Sequence, residues 1–393
     1  MKILHVISSC KPQDGGPIEG IKQFNNYYKK LGVIADILCS DNKDSKWLKD
    51  KRLPNVFATG PKKFKYAYNP KLLNWLNKNI NKYDLIIING IWQYHNYAVW
   101  KVSKKFNKPY FVFIHGMLDP WFKSNYFLKH LKKLIYWYLI QSKVLKDAKS
   151  ILYTTNEEKI LAKKTFGQFN QCEKVIGYGI KGNPYLNNKG QNSFLKKYSQ
   201  LKQKRIILFF GRIHEKKGVD NLINSFAKVL LKNSKLHLVI AGPVEKKYYP
   251  RLKEIIDHYK INNFVTWTGF LDNKLKWDAY LSCEVFCLPS HQENFGISVV
   301  EALACKKPVL ISNKVNIWKI IKKDSAGLIS KDNNTSLYQN LKKITDLNKK
   351  EYTNYSINSY NCFLKNFQMN KISTKFINYL KNTINFNNKF KVL

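Results

Sequence analysis

Short apolar runs alternate with stretches of helical spacing along nearly the whole chain, and this limits the folds open to it. Lys2 to Ser8, Ile34 to Ser40, Asn55 to Gly60, Leu85 to Asn89, Tyr110 to His115 and Ile151 to Thr155 have the length of strands, not helices. Such alternation is satisfied by an α/β architecture, a parallel sheet with helices on both faces. Residues 183–204 are polar and rich in Asn and Lys. The pattern then restarts with a strand in RIILFFGR, a helix from Val219 to Leu231, and a strand in LHLVIAGP. A helix from Tyr249 to Tyr259 and a strand in VTWTGF follow. The expectation is two doubly wound domains, 1–182 and 205–365, joined by a linker at 183–204. Residues 366–393 form a helical tail that packs back across the junction, with the last ten frayed.

Length and composition agree. A chain of 393 residues favours two domains, and 44% hydrophobic residues is enough for ordinary cores. The seven cysteines form no CxxC pair; Cys283 and Cys287 lie on or beside an apolar strand. They read as buried thiols of a reducing compartment, with no zinc site expected. MKILHVISS turns polar too soon for a signal peptide. No apolar run approaches the roughly 20 residues of a membrane span.

The net charge, 68 − 26 = +42, calls for an acidic partner: an anionic membrane, a polyanionic substrate or nucleic acid. An AT-biased genome would raise Lys and Asn in the same way. The only arginines are Arg52, Arg205, Arg212 and Arg251. Base-edge readout leans on arginine forks, so the lysine bias argues against specific nucleic-acid binding. It leaves attraction to acidic lipid intact.

Chemistry gathers in residues 284–313. Val285 to Leu288 reads as a buried strand, HQENFG as a loop, Ile297 to Cys305 as a helix, and Pro308 to Ile311 as a second strand. Glu293 sits on the loop and Glu301 about two turns into the helix. Amides at a helix start favour anions, whereas ionised carboxylates accept from sugar hydroxyls. GRIHEKKG puts Arg212 at a strand end and Lys217 on the loop after it, a fork and a mobile point charge for phosphate oxygens. No DxD occurs, so a diphosphate leaving group would be neutralised by side chains and a helix N-terminus rather than a motif-held metal.

Three features of the first half carry less specific signals. Gly15-Gly16 sits between a strand and a helix reaching Leu31, as a phosphate-facing loop or a plain turn. His115, at a strand end, either bonds a sugar hydroxyl or carries a proton, or is satisfied by backbone. Residues 124–149 read as one long helix with Phe127, Leu128, Leu131, Leu134, Ile135, Tyr138, Leu139 and Val144 on one face. With its lysines, that helix either lies on a membrane or is a domain element with a solvated basic face. The aromatic and lysine residues of 62–81 could extend the same surface.

Glu293 and Glu301 make an E-x7-E motif within SHQENFGISVVEALACKKPVL. With GRIHEKKG, AGP at 241–243, WTGF at 267–270 and the DGGP loop, the chain resembles the family-4, or group 1, retaining glycosyltransferases. The resemblance implies two Rossmann-like domains facing a cleft, the GT-B architecture, and a C-terminal helix returning to the first domain. It implies metal-independent transfer from a nucleotide sugar, without a cofactor. By position it implies diphosphate contacts from Arg212 and Lys217. Glu293 would contact the donor sugar, with Asn294, Phe295, Gly296 and Ile297 beside it. Glu301 would bind ribose, Gly16 the phosphates and His115 the transferred sugar. HGMLDPW resembles enzymes that build bacterial surface polysaccharide on lipid-linked acceptors, at the cytoplasmic face of the membrane. Tyr178 stands where the family often has Asn, which removes the usual basis for a donor contact there. No residue clearly supplies a nucleophile, so same-face displacement is expected, the departing phosphate helping to remove the acceptor proton. A phosphorylase or glycan synthase on the same fold is a near rival. A basic membrane- or nucleic-acid-binding protein with a vestigial site is the alternative of a different class.

Overall fold

The structure is a computed structural model. It describes all residues except 13–14, 122, 124–126, 167–171, 187–191 and 390–393, and no side chains for 127–129, 273 and 385–389. It divides into two compact units, Met1–Tyr178 with Met369–Leu393, and Gly179–Gln368.

The first unit is built on a seven-stranded sheet in the order β3-β2-β1-β4-β5-β6-β7. Its strands are β1 Lys2–Ile7, β2 Ile34–Cys39, β3 Asn55–Ala58, β4 Leu85–Asn89, β5 Tyr110–Phe113, β6 Ser150–Tyr153 and β7 Glu173–Val175. Every pairing is parallel. β4, LIIIN, is buried along its whole length, as a central parallel strand covered on both faces must be. The helix Met369–Lys389 belongs to this unit. Its Phe376 is fully buried, 5.0 Å from the Phe24 ring, and Tyr379 donates to Ser150 Oγ at 2.8 Å. Burying one such phenyl ring contributes about 2–3 kcal/mol, which ties the end of the chain to its beginning.

The second unit carries a six-stranded parallel sheet in the order β10-β9-β8-β11-β12-β13. The strands are β8 Arg205–Phe210, β9 Leu236–Ala241, β10 Val265–Gly269, β11 Val285–Leu288, β12 Val309–Ser312 and β13 Gly327–Ser330. In each sheet the order reverses once, between β1 and β4 and between β8 and β11. Ligands of doubly wound folds bind beyond the strand C-termini at such a reversal.

Three expectations need correction. Residues 193–201, expected within a linker, are helical parts of the second unit, with Phe194 and Leu201 buried. These two apolar side chains dock an otherwise polar segment together with polar ties, Asn192 Nδ2 donating to Ser282 Oγ at 2.7 Å and Ser193 N to Asp278 Oδ2 at 2.8 Å. The tail does not start at 366: Lys349–Asn366 is a helix of the second unit, and the chain changes unit between Gln368 and Met369. The helix expected over 124–149 is not uniform. Phe127–Tyr136 gives way to a π-turn at Trp137–Gln141, and Ser142–Lys146 completes it. Its first residues, the side chains of Phe127 and Leu128, Asp14 of the DGGP loop, and the last residues of the tail, on which the expectation of fraying falls, lie outside the described residues.

Candidate active site

In the second unit the reversal point is lined by the loop after β8 and the loop after β11. Arg212 leaves the first loop exposed, with no hydrogen bond or ion pair among the described residues. The loop is tied on both sides. Ile213 N donates to Pro243 O at 2.9 Å, and Lys216 O accepts from His291 N at 2.8 Å. Gly218 lies in the left-handed region, φ 64°, and a Cβ there would stand 2.3 Å from Pro289 O. A side chain at 218 would therefore drive the two loops apart.

That closeness lets Lys217 meet Glu293. The ammonium pairs with Glu293 Oε2; the two side chains are 11% and 20% exposed. The backbone of Glu293 is fixed as well: its N–H donates to Lys314 O and its carbonyl accepts from Asn316 N, both at 3.0 Å. Burial alone would raise the Glu293 carboxyl. The Lys217 and Lys216 charges and the Phe295 amide outweigh it and hold the group below the usual carboxylate range. Glu293 is therefore ionised at neutral pH.

Gly296, φ 77°, caps the helix Ile297–Ala304, and no side chain closes that end. Its first amides face the reversal point with the helix dipole behind them. Asn294 lies on the same loop, 3.4 Å from Asn316 Nδ2, and Phe295 is buried beside Phe367. Glu301 is the fifth residue of this helix, just over one turn in rather than two. Both its oxygens have partners: Lys276 Nζ at 2.6 Å and the Tyr280 hydroxyl at 3.0 Å. Burial and the Glu301 charge hold the Tyr280 phenol well above its ordinary range, so it donates and never competes as an anion. A carboxylate oxygen has room for a second donor, so Glu301 still offers acceptor sites. Lys276 and Tyr280 were not foreseen, because nothing in their local spacing marks a partner 25 and 21 residues away.

In the first unit, Gly15, φ 96°, opens the helix Gly16–Tyr28 after β1, and no side chain caps that end. A Cβ at Gly16 would meet nothing within 4 Å. His115 follows β5 at φ 55°, a strained setting for a side chain of its size. Its ring stacks on Phe113 and on Tyr178, with centroids 4.6 and 5.9 Å away. Asn89 Oδ1 lies 3.4 Å from Nε2 and the Tyr178 hydroxyl 3.4 Å from Nδ1. Burial, with His5 nearby, pushes the imidazole down to about 3. His115 is therefore held neutral at pH 7 in this setting, with both ring nitrogens within reach of hydrogen-bond partners. Tyr178 is itself buried, its hydroxyl packed against Gly20.

Among the described residues one group could hold a metal ion: buried Cys10, Cys39 and Asp41, with ligand atoms within 4.8 Å of one another. Asp41 already accepts from Ser9 Oγ at 2.7 Å and Cys10 N at 2.6 Å. No helix among the described residues is long and apolar enough to cross a membrane.

Residues 191–361 match the family model described as glycosyl transferases group 1. An uncharacterised glycosyltransferase of Methanocaldococcus jannaschii is 29% identical over 192 residues, 48% of this chain and 45% of its own length. An O-antigen biosynthesis glycosyltransferase, WclY of Escherichia coli, is 24% identical over 242 residues, 61% of this chain and 63% of its own. The chain covers half or less of the first curated relatives it matches, from 27% to 49% of their lengths. Among solved structures, Anabaena HepE in complex with UDP superposes at a TM-score of 0.78, with 19% identity, over 97% of this chain and 100% of that one. The sucrose-phosphate synthase of Thermosynechococcus elongatus reaches 0.81 at 17% identity, over 97% and 98%. Residues 191–361 thus carry the likeness to group 1 glycosyltransferases, and the two Rossmann-like domains are the fold shared with the solved structures.

Proposed function

We propose that the chain is a retaining glycosyltransferase that moves a hexose from a UDP- or GDP-linked donor to a saccharide acceptor. The acceptor is lipid-linked, the setting bacterial surface-polysaccharide assembly at the inner face of the membrane. The observation that carries this reading is one cluster at the β8–β11 reversal. An unpartnered Arg212, the Lys217–Glu293 pair and the uncapped helix at Gly296 stand together there. Support comes also from the UDP bound by HepE and from the likeness to WclY, an O-antigen biosynthesis glycosyltransferase.

Donor binding exchanges partners. The diphosphate takes Arg212, the amides of Gly296 and Ile297, and the Lys217 ammonium. Glu293, released, accepts from hydroxyls of the sugar, and Glu301 from those of the ribose. Fixed positive charge then stabilises the leaving diphosphate, a role a divalent ion fills elsewhere. The departing phosphate oxygen accepts the acceptor proton as the new bond forms on the same face. In the first domain, His115 and Gly16 are assigned to substrate binding.

The test is a panel of UDP- and GDP-sugars with purified protein, followed by nucleotide release. Arg212→Ala and Glu293→Ala each lower turnover about 10²–10³-fold, with the circular dichroism spectrum retained. Unchanged turnover in both removes the assigned site. A trapped glycosyl–Glu293 adduct seen by mass spectrometry removes same-face displacement.

A further inference from the structure

The exposed apolar side chains are not scattered. Of twelve large hydrophobic side chains exposed among the described residues, six lie in two short segments of the first unit. Phe64 is 84% exposed and Tyr68 43%; Leu131, Ile135, Tyr138 and Leu139 are 51%, 61%, 73% and 61% exposed. Scattered single exposures need no explanation, but a contiguous group does.

The fold builds and holds this group. Lys63 and Tyr68 exchange both backbone hydrogen bonds at 2.9 Å, closing a tight turn with Phe64 at φ 60°. A phenylalanine held in the left-handed region with its ring in water is strained and solvated at once. The turn is docked by Tyr94 N donating to Tyr66 O at 2.9 Å. It meets the helix through the Tyr66 and Tyr136 hydroxyls, 3.1 Å apart, with their rings nearly perpendicular. The helix in turn is anchored by its π-turn. Trp137 is buried, and the buried Gln141 carboxamide accepts from Trp92 N at 3.1 Å. That anchor leaves Leu131, Ile135, Tyr138 and Leu139 facing solvent. The apolar side of this helix, expected to be a core face in one of the two readings above, is thus largely turned outward.

Charge names the occupant. Residues 61–83 hold six lysines and residues 120–146 six more, and neither segment contains an Asp or Glu. Lys63, Lys65, Lys132, Lys143 and Lys146 are exposed. An apolar ridge on two segments that carry twelve lysines between them, with Asp84, Asp119 and Asp147 only at their ends, complements a surface with acid headgroups over hydrocarbon.

We propose that the Phe64 turn and the Leu131–Leu139 helix face form one docking surface for an anionic lipid bilayer. The aromatic and aliphatic tips enter the interface and the lysines meet the headgroups. The idea rests on the lipid-linked acceptor reading for its purpose alone, since docking is measured without donor or transfer.

The test is co-sedimentation of the full chain with phosphatidylcholine vesicles, with and without 30% phosphatidylglycerol, at low and high salt. Binding is expected with the anionic vesicles and weakens with salt. Phe64→Ser and Ile135→Ser each lower partitioning roughly ten-fold, and Lys65→Gln and Lys132→Gln each about five-fold. All four substitute exposed side chains, and a melting curve for each checks the fold. Absent binding overturns the proposal, as does binding that none of the four variants weakens. So does a concentration-dependent dimer, by light scattering, that Ile135→Ser abolishes, because the face would then be an interface between two copies. Loss of vesicle binding with turnover of a soluble acceptor intact leaves the enzymatic reading standing; the converse removes that reading alone.

Discussion

On the proposed function the Lys217–Glu293 pair has two separable roles, and a double variant distinguishes them. In Lys217→Met the Glu293 carboxylate stays where Lys314 O and Asn316 N hold its backbone, but loses the ammonium that offset its burial. Breaking a fully buried pair costs 3–5 kcal/mol; with side chains 11% and 20% exposed, water recovers part of that, leaving about 2–3 kcal/mol. For a domain of this size that lowers the melting temperature by about 5–10 °C. Lys217→Met/Glu293→Gln removes both charges at similar volume and costs only about 1 kcal/mol. Its stability returns most of the way. Activity does not return, because the diphosphate has lost a cation and the sugar an ionised acceptor, and turnover stays about 10²–10³-fold down. The assay pairs thermal unfolding at pH 7 with nucleotide release. A double variant as unstable as Lys217→Met would show that the cost is not an unpaired charge. A double variant with near-normal turnover would show that the pair is structural only.

Other outcomes follow from single contacts. Gly20→Ala, in the helix Gly16–Tyr28, would ordinarily gain about 1 kcal/mol. Here the new Cβ falls 1.9 Å from the Tyr178 hydroxyl, so a loss of about 1–3 kcal/mol is expected, relieved by Tyr178→Ala in the same chain. Double-mutant thermal melts check it; a stabilised single variant refutes it. Individual histidines respond to pH in opposite directions. In the first unit, burial pushes His5 down to about 3 and His95 to about 4, so the native state refuses protons the unfolded chain accepts below 6.5. Stability there is full above pH 6.5 and falls by up to about 2 kcal/mol per histidine by pH 5. In the second unit, Asp332 raises His291, whose contribution is full below 6.5 and is lost as pH rises past its folded value. His237 of the second unit, pushed down to about 4 by burial, behaves as His5 and His95 do, so ring titration by NMR is the check: His291 titrating below 6.5, or His5, His95 or His237 above it, would contradict this.

Much of this arrangement is legible in the sequence because parallel strands buried on both faces leave unbroken apolar runs. β4 and β11 appear at their observed bounds for that reason. Two edge strands leave no such run: β7, Glu173-Lys174-Val175, and β13, which begins at Gly327, are short and mixed, and the apolar pattern does not mark them. Arg212, Lys217 and Glu293 stand out because they follow strands whose C-termini meet at one reversal, and because arginine is scarce. The partners that tune the site arrive from elsewhere in the chain. Lys276 and Tyr280 reach Glu301 from another helix, and Asn89 with Tyr178 holds His115 from two other segments. Spacing along one element carries no trace of such contacts. The outward turn of Ile135 and Leu139 was hidden for a further reason: a π-turn changes which residues share a face, and periodicity at 3.6 residues assumes none.

Calorimetric titration of UDP and GDP into the protein in excess EDTA tests the charge assignment most directly. One nucleotide diphosphate should bind with EDTA present, and Arg212→Ala should weaken it by about 10–100-fold. Binding that appears only when a divalent ion is restored, or that ignores Arg212, would contradict the account.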